Sequence, residues 1–296
     1  MDSRGKKTRR VSLGRGGEFD LIRRLLGPEV GQVPGVLLGP GDDCAVLDGG
    51  WVISADLSVE DVHFRREWIN LREAGYRSVA VALSDLAAMA SEPVGVLLSL
   101  ALPAVSAHKE AVELQEGAEE ACRSAGCQIL GGDLAGSPGP IVMDVVVMGR
   151  TPHPVERGGS QGGDEVWVTG VLGGSAGAVA CWDRGEAPPV ELRDAFASPR
   201  PRIQEALWLS RNAQLHGLID LSDGLGGDAG HLAAAAGVCI RLREDRIPVH
   251  PVLRDTLASN QDRLRLALEG GEDFELCLTV PPETLDEWVN PFQDSF

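Results

Sequence analysis

Residues 107–150 read AHKEAVELQEGAEEACRSAGCQILGGDLAGSPGPIVMDVVVMGR, and their pattern decides the fold class. Ala111, Leu114, Ala118, Ala121, Cys122 and Ala125 recur at the helical period, and Gly126 stands where a C-terminal cap belongs. The spacing predicts a helix with one apolar face over 107–125. Cys127 to Leu130 follows as a short strand running into Gly131-Gly132-Asp133, and Ile141 to Met148 reads as a second strand. Helix and strand mixed over so short a span point to an α/β or α+β fold.

The same mixture extends outward. Upstream, Glu18 to Leu26 reads as a short amphipathic helix with Phe19, Ile22 and Leu26 on one face. Trp51 to Ala55 is a strand expected to end at Asp56, residues 71–90 an alanine-rich helix, and Val94 to Leu102 a strand. Downstream, TPHPVERGGSQGG (151–163) has the composition of a linker or long loop, which sets a boundary near residue 150. Beyond it come a strand at Glu165 to Thr169, helices at Ser175 to Trp182 and Ile203 to Arg211, a strand at Leu218 to Leu221, and an alanine-rich helix ending near Gly237. Strands at Val238 to Leu242 and Phe274 to Val280 complete the reading. The expected organisation is a basic, solvated tail over 1–17, an N-terminal domain over 18–150 and a C-terminal domain over 151–296.

Composition narrows the function. With 44 acidic against 27 basic residues the formal charge is -17, which repels a nucleic-acid backbone and argues against that partner. No apolar run reaches the ~18 residues of a membrane span. The six cysteines are scattered with no Cys-x-x-Cys pair, as in a reducing compartment, so a cytoplasmic location is expected.

The aspartates carry the chemistry. Asp42 and Asp43 lie in Gly-Pro-Gly-Asp-Asp, Asp56 follows a β-rich run, Asp133 follows Gly-Gly, Asp220 and Asp223 flank Leu-Ser, and Glu272 and Asp273 follow Gly-Gly. One Asp beside glycine is an ordinary turn residue or helix cap. Recurrence at so many turns is harder to dismiss. Asp85 sits among Val, Ala, Leu and Met, where a carboxylate needs a partner, and a cation is an obvious one. Converging carboxylates without a His/Cys cluster favour magnesium over zinc, and magnesium held this way commonly bridges to phosphates. There is neither a G-x-x-x-x-G-K-[ST] loop nor a protein-kinase signature, so any ATP site would depend on metal more than on lysine.

In chain order, GDDCAVL (41–47), ISADLSVEDVHF (53–64), LSDLAAM (83–89), GGD (131–133), IDLSDGL (219–225) and GGEDFEL (270–276) together resemble the thiamine-monophosphate kinases, relatives of aminoimidazole ribonucleotide synthetase. The resemblance runs from about Glu18 to Val280. It implies a two-domain subunit, with an N-terminal α/β domain whose strands pair into a barrel in a homodimer, and a C-terminal α+β domain. It implies ATP as co-substrate, thiamine monophosphate as acceptor and several Mg2+ ions. By position, Asp43, Ser54, Ala55 (through its carbonyl), Asp56, Asp85, Asp133, Asp220 and Asp223 resemble metal ligands, with Asp133, Asp43 and Asp223 closest to the chemistry. Gly132, Arg157 and Ser222 resemble ATP contacts, and His63 and Glu272 contacts to the thiamine substrate. Asp42 and Asp273 share these motifs without an assigned role. Trp167 and Trp182 are read as packing residues. A sister synthetase of the same superfamily and a catalytically degraded nucleotide-binding homologue are the alternatives. Gly14 to Gly17 lacks the cysteine that a selenophosphate synthetase would want. Only 23 residues follow Asp273, and DEWVNPFQDSF does not resemble the family's usual ending. A shortened C-terminal domain is therefore expected, with Trp288 not assigned to stacking on thiamine.

Overall fold

The computed structural model describes residues 21, 22, 24, 25, 33–103, 107–257 and 259–296. The basic segment 1–17, Phe19 and Leu26 lie outside the described residues, whereas Leu21, Ile22, Arg24 and Leu25 are helical. Strands β1 (Val36–Leu38), β2 (Ala45–Leu47), β3 (Trp51–Val59), β4 (Glu92–Pro103), β5 (Ile129–Ser137) and β6 (Val142–Arg150) form one sheet, in the order β1-β2-β3-β6-β4-β5. Neighbours are antiparallel except β4 and β5, which run parallel. A parallel pair needs a crossover, and here it is the helix α2 (Ala107–Ser124). Gly126 follows it at φ 75, a left-handed conformation that closes the helix as the sequence predicts.

Helix α1 (Leu71–Ala88) is the spine of the molecule. It starts with a reciprocal cap: Asn70 Oδ1 accepts from the Glu73 amide and the Glu73 carboxylate accepts from the Asn70 amide, each at 2.9 Å. Val79, Ala80, Ala82, Leu83, Leu86 and Ala87 are all buried, because α1 is covered on several sides. It packs against α2, β3 and β6, and also against elements of the second half described next. Its approach to α2 depends on glycine. A Cβ on Gly75 would lie 1.9 Å from the Leu114 carbonyl oxygen, and one on Gly117 would lie 1.8 Å from that of Arg72.

The second sheet has three antiparallel strands, β7 (Glu165–Val168), β8 (Gly217–Asp220) and β9 (Leu276–Val280), in the order β7-β9-β8. Around it lie α3 (Gly174–Asp183), α4 (Val190–Ala197), α5 (Ile203–Asn212), α6 (Leu225–Ala236), the single turn α7 (Leu253–Thr256), α8 (Asn260–Glu269) and α9 (Leu285–Ser295). Helix α1 touches β8, α4 and α5, so one buried core draws on both sheets. Trp288 on α9 is 3% exposed and meets Trp167 edge-on at 5.8 Å, which makes it a packing residue. Trp182 likewise stacks on Trp68 at 4.8 Å.

The fold is mixed α/β, as expected, with three local differences. Strand β3 continues through Asp56 to Val59, because all nine of its residues pair with β6; Asp56 is therefore mid-strand. Gly131-Gly132-Asp133 lies inside β5 rather than after it. Val238 to Leu242 is no strand, since it forms no ladder with any of the described strands. It borders instead a cleft of about 880 Å³ that β7 also lines. Asp43, Asp85 and Asp220 do not line that cleft.

Candidate active site

Three segments far apart in sequence bring carboxylates together. Asp43 comes from the turn before β2, Asp85 from the last turns of α1, and Asp220 from the end of β8. One carboxylate oxygen of each lies within 4.8 Å of the others. Strand and helix geometry explain the convergence. Ser54 and Asp56 alternate on the face of β3 that carries buried Val52, which is the face α1 covers. Ser54 Oγ accordingly donates to Asp85 Oδ2 at 2.6 Å.

The cluster is electrostatically loaded. Burial, and then the charges of Asp220 and Asp43, push the Asp85 carboxyl well above the usual range. Burial and the charge of Asp43 raise Asp220 to about 7. Asp56 is raised by burial and lies within electrostatic reach of both His63 and Arg77. Arg157 supplies positive charge: its Nε donates to Asp43 Oδ2 at 2.9 Å and its Nη2 to Asp43 Oδ1 at 2.5 Å, a two-pronged ion pair. Asp42 supports this arrangement by accepting from the Asp43 amide at 3.0 Å and the Arg157 amide at 3.1 Å. Burial and the neighbouring Asp43 charge raise Asp42 itself to about 7.

A second group adjoins the first. Asp223, Asp228 and His231 also bring ligand atoms within 4.8 Å of one another, and Asp228 Oδ2 accepts from the Asp223 amide at 3.0 Å. Burial and the charges of Asp220 and Asp223 raise Asp228 to about 8. Asp228 and His231 lie outside the motifs that the sequence marks. Their spacing of three, on one face of α6, was the available signal.

The turns that carry Ser222, Asp223 and Glu272 lock together. Glu272 N donates to the Ser222 carbonyl at 2.8 Å and Phe274 N to that of Leu221 at 2.9 Å. Gly271, at φ 66, would clash with the Ser222 carbonyl oxygen if it carried a Cβ, at 2.4 Å. Ser222 and Asp223 are exposed beside the cluster. Asp273 points elsewhere. Both its oxygens accept from Gly173 N, at 3.0 and 2.8 Å, so it anchors the start of α3. His63 is exposed on the turn after β3. Its Nδ1 accepts from Val59 N at 3.1 Å, which leaves the proton of the neutral ring on Nε2, facing outward.

Gly132 and Asp133 do not join the cluster within one chain. They lie on β5, at the far edge of the sheet, with β6 and β4 between them and β3. At ~4.8 Å per strand that is ~14 Å. The register also puts them on different faces. Asp133 pairs with Ser99, which pairs with Asp144, which pairs with Leu57, and all share the face opposite α1. Asp56 pairs with the buried Val145 on the other face. Gly132 is fixed by sterics, since a Cβ there would lie 1.7 Å from the Leu98 carbonyl oxygen. Ala55 is exposed on β3, with only its carbonyl to offer as a ligand.

The family model for the N-terminal domain of AIR synthase related proteins matches residues 41–151. A thiamine-monophosphate kinase of Rhodopirellula baltica is 34% identical over 264 residues, covering 85% of this chain and 78% of the relative. The chain belongs to the thiamine-monophosphate kinase family. The corresponding Escherichia coli K12 protein is 35% identical, over 90% of this chain and 83% of its own length. Among solved structures, AaThiL complexed with AMPPCP and TMP superposes with a TM-score of 0.81 at 30% identity, covering 94% of this chain and 87% of that one.

Proposed function

We propose that this chain transfers the γ-phosphoryl group of ATP to the phosphate of thiamine monophosphate, giving thiamine diphosphate, with Mg2+ as the metal. The observation that carries the reading is the Asp43–Asp85–Asp220 convergence within 4.8 Å, in a family of that activity. The donor set fits magnesium. It consists of carboxylates, the Ser54 hydroxyl and the Ala55 carbonyl, all hard oxygens, and the raised carboxyls of Asp85 and Asp220 mark a site short of positive charge. Asp43, Ser54, Ala55, Asp56, Asp85, Asp133, Asp220 and Asp223 would hold several ions. Magnesium held by these residues would supply positive charge to neutralise the phosphates.

The chain's own residues do the rest. Arg157 turns its planar fork from Asp43 to an ATP phosphate. Gly132 lets the backbone approach the nucleotide, and the exposed Ser222 hydroxyl offers a further hydrogen bond. His63 presents Nε2–H to the acceptor phosphate. That phosphate needs no strong general base, since a phosphomonoester's second pKa is ~6, so transfer is direct and in line, without a phosphoenzyme.

The reading includes an N-terminal α/β domain over 18–150, a C-terminal α+β domain over 151–296, and a cytoplasmic homodimer whose N-terminal strands close a barrel. Among the described residues no helix is long and apolar enough to cross a membrane. The dimer is supported by the open face and edge of the six-stranded sheet, where Leu57 and Leu134 are 53% and 64% exposed. It also resolves the separation of Asp133 from the cluster, because a second copy can deliver that carboxylate across the interface.

The test mixes the purified chain with ATP, magnesium and thiamine monophosphate, and follows thiamine diphosphate by chromatography of its fluorescent oxidised form. Product that requires all three and the protein is expected. Folded protein that binds ATP with magnesium but gives no product would overturn the kinase in favour of a nucleotide-binding homologue.

A further inference from the structure

Arg77 lies in the middle of α1 with only 3% of its side chain exposed. A guanidinium so enclosed needs an opposite charge and full hydrogen bonding. Its Nη1 donates to the carbonyl of Phe196, and its Nη2 donates to Glu272 Oε1 at 2.5 Å. Its Cζ lies 4.1 Å from the Phe196 ring centre and 5.8 Å from that of Phe274. The guanidinium is therefore fixed from several directions, and it fixes Glu272 in turn. The Glu272 backbone is equally constrained, at φ 58 and hydrogen-bonded to Ser222. Its side chain remains 34% exposed, so Oε1 is committed to Arg77 while Oε2 stays open to a ligand.

We infer that Arg77 is a positioning residue for the substrate, holding Glu272 aimed so that its free oxygen meets the cationic ring portion of thiamine monophosphate rather than its phosphate. This rests on the kinase reading and sharpens it. A carboxylate paired with a buried arginine presents negative charge at its open oxygen, and that oxygen repels a phosphate. The thiazolium carries a positive charge and the aminopyrimidine carries N–H donors, so either complements Oε2. His63, with its outward Nε2–H, suits the phosphate end. Asp56 lies within electrostatic reach of both His63 and Arg77, so the residue that holds Glu272 and the one suited to the phosphate act near the same metal-ligand candidate.

Steady-state kinetics of the wild type, Arg77→Lys, Glu272→Gln and the double variant test the inference, with thermal melts to establish folding. Arg77→Lys keeps the buried charge but cannot reproduce the fork. Each single variant is expected to raise KM for thiamine monophosphate about ten-fold, the scale of one charged hydrogen bond, with KM for ATP within about twofold. The double variant is expected to be no worse than Glu272→Gln alone, as for two residues acting in series. Inhibition by phenyl phosphate, which has a phosphate but no cationic ring, is expected to be unchanged in Glu272→Gln. Equal rises in both KM values, additive effects, or a parallel loss of phenyl phosphate binding would each overturn the positioning role. Absence of wild-type turnover would remove the kinase reading and this inference together, whereas turnover with unshifted variants would remove only the inference.

Discussion

At the scale of single residues the acidic site is arranged at the expense of the fold. Asp85 occupies the apolar spine of α1, accepts a 2.6 Å hydrogen bond from Ser54, and faces Asp43 and Asp220. Two enclosed like charges at ~4 Å repel by about 4 kcal/mol at an effective dielectric constant of ~20, which protonation partly relieves by raising the carboxyls. Asp85→Asn removes one charge, keeps the shape and still accepts from Ser54. Its melting temperature without magnesium is expected to rise by about 2–4 °C, corresponding to ~1 kcal/mol regained. Its kcat is expected to fall at least ~100-fold, because a ligand has been lost. Scanning calorimetry in EDTA beside the coupled kinase assay reads both. A variant that is less stable yet fully active would show Asp85 to be a structural group.

At the scale of elements, the start of α3 shows how a motif residue becomes structural. Asp273 caps that helix through Gly173, and burial raises its carboxyl to about 7 despite the amides that favour its charge. The unfolded chain releases this proton near pH 4, the folded chain near 7. The contribution to stability is therefore fully present below about 4 and is lost as pH rises through 7. Asp273→Asn keeps an acceptor and removes the titration. Its stability relative to wild type is expected to improve by roughly 2 kcal/mol between pH 5.5 and pH 8, read from urea melts at the two pH values. A pH-independent difference would mean the folded carboxyl is already ionised at 5.5. The same scale shows what the sequence made legible. Helix α2 was readable because Leu114, Ala118 and Ala121 repeat every turn and Gly126 closes it. Sequence alone reads Gly131-Gly132-Asp133 as a turn, because glycine pairs usually punctuate. Here Gly132 is required by the Leu98 carbonyl in a continuous strand, a constraint that only the neighbouring β4 reveals. The same reasoning ends the first long strand at Asp56, whereas pairing with β6 prolongs it to Val59. Arg77 gave no signal at all, because its partners Phe196 and Glu272 come from the far half of the chain.

At the scale of the whole molecule, the strand that a single chain leaves away from the cluster, carrying Gly132 and Asp133, is also the one that tests its assembly. Asp133 sits across the sheet from Asp56 and on the opposite face, so both share a metal ion only if a second copy supplies one of them. The dimer then has two sites, each taking Asp220 from one copy and Asp133 from the other. Asp133→Asn and Asp220→Asn homodimers should each be inactive. Mixed by co-refolding in equal amounts, half of the dimers are hybrids, and each hybrid has one site with both carboxylates intact. Activity is therefore expected to return to ~25% of wild type from two dead proteins, a statistical consequence of two-fold symmetry. Size-exclusion chromatography with light scattering should show a dimer throughout, and Leu57→Arg, placed on the open face, should yield monomers without turnover. No recovery from a mixture that demonstrably contains hybrids would mean that Asp133 acts within its own chain, and the sheet would then have to rearrange to bring it to the cluster.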